Sequence, residues 1–213
     1  MTAKKVSGNS INRLILYRKL LDGLQTDGIE NVYSHKLAAL ANCTPALVRR
    51  DLMQVGYEGS PARGYNIEKL NASISNFLDS SRKQNVAIIG IGNLGRAILE
   101  YCFGRHPRLS IIAAFDNDPS KVNRVIHGTH CYHISDLESI VKKSNIEVAI
   151  ISIPAGEAQQ ISEKLVDSGV RAILNYSPTA LNLPKNIYVE NRDMMLALEK
   201  VAFFSRNTKQ RKN

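Results

Sequence analysis

Hydrophobic residues in the first part of the chain recur every three or four positions, which is the spacing of amphipathic helices. The pattern predicts three helices, over residues 10–26, 34–41 and 44–55. Ser34 and Thr44 are of the residue types that cap helix amino ends, and each stands at the start of one pattern. Because a short turn joins the second and third helices, we expect a helix-turn-helix.

A turn-forming segment rich in glycine, residues 56–64, follows the third helix and leads into a brief strand over 65–67. We interpret the segment as a β-wing. Apolar residues from Leu70 to Leu78 then predict a connecting helix. The polar run over 80–84 predicts a linker between two domains.

Beyond the linker, short apolar strands alternate with amphipathic helices, which predicts a parallel sheet with helical crossovers and hence an α/β fold. The expected strands are 86–89, 109–115, 148–153, 172–174 and 187–189.

The last predicted helix, over 193–204, is too apolar for a solvated terminal helix. We expect it to pack on a partner subunit or on the other domain, and an intramolecular crossover layer is the alternative. The expected organisation is a DNA-binding domain over 1–80, a dinucleotide-binding domain over 85–190, a terminal helix over 191–206 and a basic tail over 207–213.

Charge and composition narrow the class of protein. Residues 1–85 carry 12 Lys and Arg against 7 Asp and Glu, residues 86–205 carry 12 of each, and the tail is basic. Basic segments attract phosphate polyanions. No run approaches the ~20 apolar residues of a membrane helix, and the three cysteines have no metal-binding or disulfide spacing. We therefore expect a cytoplasmic protein without a membrane partner.

A glycine-rich turn follows the predicted strand 86–89 and opens a helix over 94–103. In this arrangement Gly90 allows a tight turn, Gly92 lets a pyrophosphate approach the backbone, and Gly95 permits close packing of helix on strand. The turn as a whole is Gly90-Ile91-Gly92-Asn93-Leu94-Gly95. It predicts a dinucleotide site at the helix amino end.

An acidic residue is expected at the end of the second strand of such a domain, where it contacts the adenine ribose. Asp116 stands there, and the neighbouring Asn117 and Asp118 supply no cation for a 2′-phosphate. The cofactor expected is therefore NAD(H) rather than its phosphorylated form. Further candidates follow other predicted strands, at Ile153-Pro154 and Tyr176, where ordinary loop chemistry is an equal alternative.

The second helix of the predicted helix-turn-helix carries Arg49 and Arg50, which suits a helix that reads DNA. Helix pairs of this kind also occur as plain structure, and composition does not decide between the two interpretations.

The sequence resembles the redox-sensing transcriptional repressors called Rex, in which a winged-helix domain precedes a Rossmann domain. The resemblance covers nearly the whole chain. It rests on the glycine turn and on motifs that include Val48-Arg49-Arg50-Asp51-Leu52, Ala114-Phe115-Asp116, Pro154-Ala155, Asn175-Tyr176-Ser177-Pro178 and Asn191-Arg192-Asp193.

This resemblance implies a homodimer that binds an inverted-repeat operator in double-stranded DNA and releases it when NADH binds. It also implies a terminal helix that is swapped between subunits, and coupling of cofactor to DNA through Arg13, Tyr101 and Asp193. With the family in mind we add Lys121 to the cofactor residues. The expected DNA-binding residues are Ser34, Thr44, Arg49, Arg50, Gln54 and Arg63.

Departures from the family pattern cluster on the DNA side. The recognition helix ends in Met53-Gln54-Val55 where the family usually has a serine and two aromatics. The wing has Glu58, Pro61 and Ala62 in place of an aromatic, an arginine and a glycine. An acidic residue beside DNA phosphates weakens binding, so either the operator differs or DNA binding is weakened in a divergent paralogue.

Two other classes of protein stay open. One is an NAD-dependent oxidoreductase, against which the predicted strand ends carry no His, Lys or Cys as an acid or base, although Glu157 is nearby. The other is a dimeric NAD-binding protein that has lost DNA binding. A metal site is disfavoured, because His127, His130 and His133 lack a fourth ligand and surround a predicted strand. We expect a regulator and not an enzyme.

Overall fold

The computed structural model describes residues 6–79 and 82–208, with the backbone alone for 207 and 208. The chain divides into two compact units, residues 1–81 and residues 82–213. The predicted linker residues Ser80 and Ser81, and residues 209–213 of the predicted tail, lie outside the described residues. No helix in the described ranges is long and apolar enough to cross a membrane.

Over residues 6–79, the first unit contains four helices and a two-stranded antiparallel sheet. Its elements are α1 (Gly8–Thr26), β1 (Asn31–Val32), α2 (Ser34–Leu40), α3 (Pro45–Gln54), β2 (Tyr65–Asn66) and α4 (Ile67–Leu78). In the sheet, Asn31 pairs with Asn66 and Val32 with Tyr65. The three predicted helices and the connecting helix are confirmed.

Side-chain caps explain where these helices begin. Thr44 caps α3 as predicted, because its Oγ1 accepts a hydrogen bond from the Leu47 N–H at 3.3 Å. The prediction for Ser34 was wrong: Tyr33 is the N-cap residue of α2, without a side-chain cap, and Ser34 is the first helical residue. The predicted strand 65–67 is one residue shorter, because the Asn66 side chain caps α4.

The core of the first unit contains the inward residues of its helices, among them Leu14, Leu21, Val48, Leu52 and Leu70. These positions follow the predicted helical spacing. Packing of the four apolar faces against one another supplies the stabilisation that short helices do not have alone.

A buried carboxylate is hydrogen-bonded to Tyr17, a residue of this apolar core. Asp51 on α3 is fully buried, and Arg13 on α1 holds it in a bidentate pair with N–O distances of 2.6 and 2.8 Å. The Tyr17 hydroxyl donates to the same carboxylate at 3.2 Å. Burial alone would raise the pKa of Asp51, but the hydrogen bond and charge of Arg13 outweigh it and hold this pKa below its usual range.

The second unit contains a seven-stranded sheet flanked by helices. Its elements are β3 (Gln84–Ile89), α5 (Asn93–Cys102), β4 (Leu109–Asp116), β5 (Arg124–Ile126), β6 (Thr129–His133), α6 (Leu137–Lys143), β7 (Ile146–Ile151), α7 (Ala155–Asp167), β8 (Ala172–Asn175), β9 (Tyr188–Asn191) and α8 (Met194–Thr208).

The sheet has the strand order β5-β6-β4-β3-β7-β8-β9, and only β5 runs antiparallel to its neighbour. Numbered along the chain without β5, its parallel strands have the order 3-2-1-4-5-6, which is that of dinucleotide-binding domains. Separate apolar clusters pack on the sheet. The predicted parallel α/β fold is confirmed, and the order of the strands reverses between β3 and β7.

Three details of this unit were predicted wrongly or missed. The linker was expected to include Gln84, but this residue begins β3. The strand expected over 148–153 ends at Ile151. Strands β5 and β6 form a hairpin whose turn holds His127 at a φ of 45°; a strand near the histidines was expected, but the hairpin was not.

Helix α8 exposes nearly all of its apolar side chains. Its exposed residues include Met194, Met195, Leu196, Leu198, Val201, Phe203 and Phe204. So many exposed apolar side chains on one helix are unusual on a monomer and are typical of an interface.

Replacing Arg13 tests the buried ion pair. We expect Arg13→Ala to lower the free energy of unfolding of the first unit by about 3–5 kcal/mol near neutral pH, because it leaves a buried carboxylate without its cation. In the natural protein the pKa of Asp51 is lowered on folding. The stabilisation that its ion pair gives to the folded state is therefore lost only as the pH falls below about 4. In the variant the unpaired carboxyl has a raised pKa, so the deficit should shrink on acidification.

Thermal unfolding, with hydrogen exchange at α1 and α3 amides, measures this effect. Lys19→Ala, an exposed change on the same helix, is the control. A loss no larger than that of the control, or a deficit that grows as the pH falls, would contradict the role of the ion pair.

Candidate cofactor and DNA-binding sites

The glycine turn lies between β3 and α5, at the point where the strand order reverses. Gly90 has a φ of 88°, and a Cβ there would lie 2.6 Å from the Ser152 carbonyl oxygen. A Cβ on Gly95 would lie 2.0 Å from the Gly90 carbonyl oxygen. Both positions therefore require glycine for the fold itself. The Ser152 hydroxyl supports the turn by donating to the Gly90 carbonyl at 2.9 Å.

Gly92 differs from the other two glycines. A Cβ on this residue would meet no heavy atom within 4 Å, and its φ of −75° suits any residue. Gly92 is the N-cap residue of α5 and supplies no side chain to the first turn of this helix. The open space at an uncapped helix amino end fits a ligand phosphate, which the backbone N–H groups and the helix dipole would stabilise.

Asp116, at the carboxyl end of β4, is fixed by three groups. Its Oδ2 accepts from the Ile91 N–H at 2.7 Å and from Lys121 Nζ at 3.1 Å, and its Oδ1 accepts from the Asp118 N–H at 2.9 Å. Burial alone would raise the pKa of Asp116, but these hydrogen bonds and the Lys121 charge outweigh it and lower the pKa. The carboxylate is thus charged and already oriented.

Asn117 and Asp118 supply no cation, as expected, but Lys121 places an ammonium group at this end of β4. Lys121 Nζ lies 3.1 Å from Asp116 Oδ2 and 3.3 Å from Asp118 Oδ2. Two carboxylates therefore surround one ammonium group, so the carboxyl end of β4 carries a net negative charge. A 2′-phosphate would still be repelled here.

A cleft of about 240 Å³ runs from the glycine turn to Asp116. It is smaller than the roughly 300–1,000 Å³ of pockets that enclose a whole ligand, so its lining accounts for part of a dinucleotide. The predicted cofactor residues that line it are Gly90, Gly92, Asp116, Lys121, Ile153 and Pro154.

The other predicted cofactor residues lie outside this lining. They are Ile91, Asn93, Leu94, Gly95 and Tyr176. Ile91 is buried in the core and reaches the site only through its backbone N–H. The Tyr176 ring packs on the same apolar cluster as Ile91.

Sequence reasoning missed part of the lining. The missed residues are Ile89, Phe115, Asn117, Ile134, Ser152, Glu157 and Ile161. Asn117 directly follows β4 and Ser152 directly follows β7 in the structure. Position after a strand identifies such residues only when the strand ends are placed correctly, and the predicted strand 148–153 included Ser152. Ile134 and Ile161 come from distant parts of the chain and carry no local signal.

The predicted DNA-reading helix α3 exposes its polar face. Arg49, Arg50 and Gln54 are all exposed, and so is Met53. Arg49 Nη1 donates to the Ser34 hydroxyl at 3.2 Å, which joins α3 to the start of α2. The structure thus brings two predicted DNA-binding residues into contact.

The predicted wing is a compact turn and not an open loop. Ser60 and Gly64 exchange backbone hydrogen bonds of 2.8 and 2.7 Å, and the Arg63 N–H donates to the Ser60 hydroxyl. The Tyr33 hydroxyl donates to the Ala62 carbonyl at 2.7 Å. The Arg63 side chain is exposed.

The three predicted coupling residues have other contacts in the structure. Arg13 pairs with the buried Asp51. Tyr101 is exposed, with the Arg105 guanidinium 4.3 Å from its ring centre. Asp193 directly precedes α8, and its Oδ1 accepts from the Met195 N–H at 2.8 Å and from the Leu196 N–H at 3.1 Å. Their coupling role stays a prediction.

Within residues 6–79 and 82–208, no group of three His, Cys, Asp or Glu side chains could hold a metal ion. The cysteines Cys43, Cys102 and Cys131 are free.

Together, a winged helix-turn-helix and a dinucleotide-type parallel sheet define a class of two-domain DNA-binding regulators. Family models match both parts of the chain: "Putative DNA-binding protein N-terminus" over residues 5–52 and "CoA binding domain" over residues 81–179.

Full-length relatives are also similar. A redox-sensing transcriptional repressor Rex from Listeria welshimeri is 36% identical over 203 residues, which are 95% of this chain and 94% of the relative. The Rex repressor of a Roseiflexus species is 38% identical over 194 residues, 91% of this chain and 88% of that one. The chain belongs to the Rex family of redox-sensing transcriptional repressors.

Solved structures of one Rex-family repressor, RSP, agree with this assignment. RSP in complex with NAD⁺ and operator DNA is 28% identical, with a TM-score of 0.90 over 98% of this chain and 96% of RSP. RSP in complex with NADH is 27% identical, with a TM-score of 0.87 over 98% of both chains.

Gly92 supplies the sharpest test of the cofactor site. We expect Gly92→Val to abolish NADH binding and to leave the melting temperature unchanged, because the added side chain fills only the open space at the start of α5. Calorimetric titration measures the affinity. Gly23→Val, at another open glycine, is the control and should bind NADH normally. Unchanged NADH affinity in Gly92→Val would refute the site assignment.

Proposed function

We propose that this protein is a dimeric transcriptional repressor that binds operator DNA through its first unit and NAD(H) through its second. In this proposal NADH favours release of the operator, so the ratio of NADH to NAD⁺ controls transcription. The observation that carries it is that one chain joins a dinucleotide-type glycine turn to a helix-turn-helix with exposed arginines. Such a repressor acts in the cytoplasm.

The cofactor half of the proposal rests on the fit between the cleft and a dinucleotide. Gly92 and the uncapped start of α5 would hold the pyrophosphate. Asp116 would accept from a ribose hydroxyl, since its three contacts leave one oxygen position of the carboxylate free. The bound nicotinamide would supply its redox state as the signal.

We assign no catalytic step to this cleft. Its ionisable lining residues are Asp116, Lys121 and Glu157. Asp116 and Lys121 are bound to each other, and this pair keeps Asp116 charged. Burial alone would lower the pKa of Lys121, but Asp116 and Asp118 outweigh it and raise this pKa. Neither Asp116 nor Lys121 is suited to exchange a proton near neutral pH. With Asp116 and Lys121 bound to each other, Glu157 is left without an acid or base partner in the described lining, and an oxidoreductase is the weaker interpretation.

The DNA half rests on the first unit. Arg49, Arg50 and Gln54 lie exposed on α3, the second helix of the helix-turn-helix, which in this motif enters the major groove. Thr44 orients the start of this helix and Ser34 contacts Arg49. Arg63 on the wing would add a phosphate or minor-groove contact. These residues are the ones to which we assign DNA binding.

The dimer rests on α8. A second copy of the chain would cover the apolar residues of this helix, as in the swapped arrangement that the family implies. A dimer also suits an inverted-repeat operator, because two-fold symmetry in the protein mirrors two-fold symmetry in the site.

The coupling proposal assigns Asp193, Tyr101 and Arg13 to the link between cofactor and DNA. Arg13 is a poor choice for mutation, because its loss uncovers the buried Asp51. Asp193 is the better choice. Asparagine at this position retains the cap of α8 and removes only the charge.

Operator binding measured with each cofactor form tests the function. A labelled inverted-repeat operator, selected from a random library in the presence of NAD⁺, should bind with an affinity that falls steeply with salt concentration. Because NADH is proposed to favour the free protein, saturating NADH should weaken binding by tenfold or more, about 1.4 kcal/mol. Fluorescence anisotropy measures both affinities.

The matched variant is Asp193→Asn, which should bind the operator and NADH but show a much smaller release by NADH. Selection of no operator under any condition would favour a dimeric NAD-binding protein without DNA binding. Equal affinity with NADH and NAD⁺ would refute the redox response.

A further inference from the structure

Two adjacent residues at the start of α2 contact both of the elements proposed to read DNA. The Tyr33 hydroxyl donates to the Ala62 carbonyl at the tip of the wing, at 2.7 Å. The hydroxyl of the next residue, Ser34, accepts from Arg49 Nη1 on the recognition helix, at 3.2 Å. Two neighbouring residues, Tyr33 and Ser34, therefore contact the wing and the recognition helix respectively.

The tip of the wing has its own internal geometry. The reciprocal bonds between Ser60 and Gly64 close a five-residue turn, and the Arg63 N–H is fixed by the Ser60 hydroxyl. This turn fixes the backbone from which the Arg63 side chain extends. It does not by itself fix the orientation of the turn relative to α2.

The pairing of Val32 with Tyr65 anchors the base of the wing, and Tyr33 holds its tip through two kinds of contact. Its ring is close to Gly64, where a Cβ would lie 3.0 Å from the ring carbon Cδ1, and it stacks on His35 with centroids 5.5 Å apart. Its hydroxyl then holds the carbonyl of Ala62, the residue directly before Arg63. The ring occupies the space beside the wing and the hydroxyl fixes the tip.

We propose that Tyr33 is a positioning residue for operator binding: it orients the wing so that Arg63 meets the DNA backbone while α3 is in the major groove. Tyr33 acts through Arg63, because its hydroxyl proton is already donated to the Ala62 carbonyl and is not available to a DNA phosphate. This inference rests on the proposed DNA-binding function. It identifies a residue that lets the wing contact DNA although Glu58, Pro61 and Ala62 depart from the family pattern.

The test is Tyr33→Phe, which removes the hydroxyl and keeps the ring. Loss of one such hydrogen bond should weaken operator binding by about threefold to tenfold. Arg63→Ala should weaken it further and lower the slope of log affinity against log salt by about one. In the double variant Tyr33→Phe should add nothing to Arg63→Ala, because the side chain that it orients is absent.

A second measurement is independent of DNA. Hydrogen exchange in the free full-length protein should be faster at the Arg63 and Gly64 amides in Tyr33→Phe, with the melting temperature unchanged. Tyr57→Phe is the matched control. Tyr57 lies in the wing segment 56–64, and its hydroxyl makes no hydrogen bond with the described residues. The control should alter neither operator affinity nor exchange.

The outcomes separate this inference from the proposed function. If the natural protein binds no operator, the function is refuted and the positioning role with it. If the natural protein binds and Tyr33→Phe binds equally well, only the positioning role is refuted. Additive losses in the double variant would also overturn it, because Tyr33 would then act independently of Arg63.

Discussion

A buried carboxylate must be paired with donors inside the protein, and each unit of this chain is built around one such group. Asp51 joins α1 to α3 in the first unit, where Arg13 and Tyr17 hold it. Asp116 joins β4 to the glycine turn in the second, where it accepts from the Ile91 N–H. In the first unit the buried carboxylate fixes α3, the helix proposed to read DNA. In the second it fixes the glycine turn, which is proposed to bind the cofactor.

The two carboxylates serve these elements in different ways. Asp51 is wholly committed within the protein, so it fixes the inner face of α3 while the arginines on the outer face stay exposed. Asp116 is held by three donors but lies at a cleft, so it is oriented before any ligand arrives. Preorganisation of this kind reduces the cost of ordering the site when the ligand binds.

Local spacing made much of this architecture predictable. The glycine turn, the strand before it and Asp116 lie within about thirty residues, and their spacing reflects the mechanics of one motif. The cap at Thr44 and the helices of the first unit were equally local. Strand β6 was harder to identify, because His130 and His133 interrupt its apolar pattern. The bond between Tyr33 and Ala62 joins residues 29 positions apart, and no sequence period indicates it.

Coupling between the two units is the central claim, and linkage gives it a direct test. If NADH weakens operator binding, operator DNA must weaken NADH binding by the same factor. NADH should therefore be titrated by calorimetry into the protein alone and into the protein saturated with its operator. The account predicts that operator DNA weakens NADH binding by the factor by which NADH weakens operator binding relative to the cofactor-free protein. An NADH affinity that operator DNA leaves unchanged would contradict it.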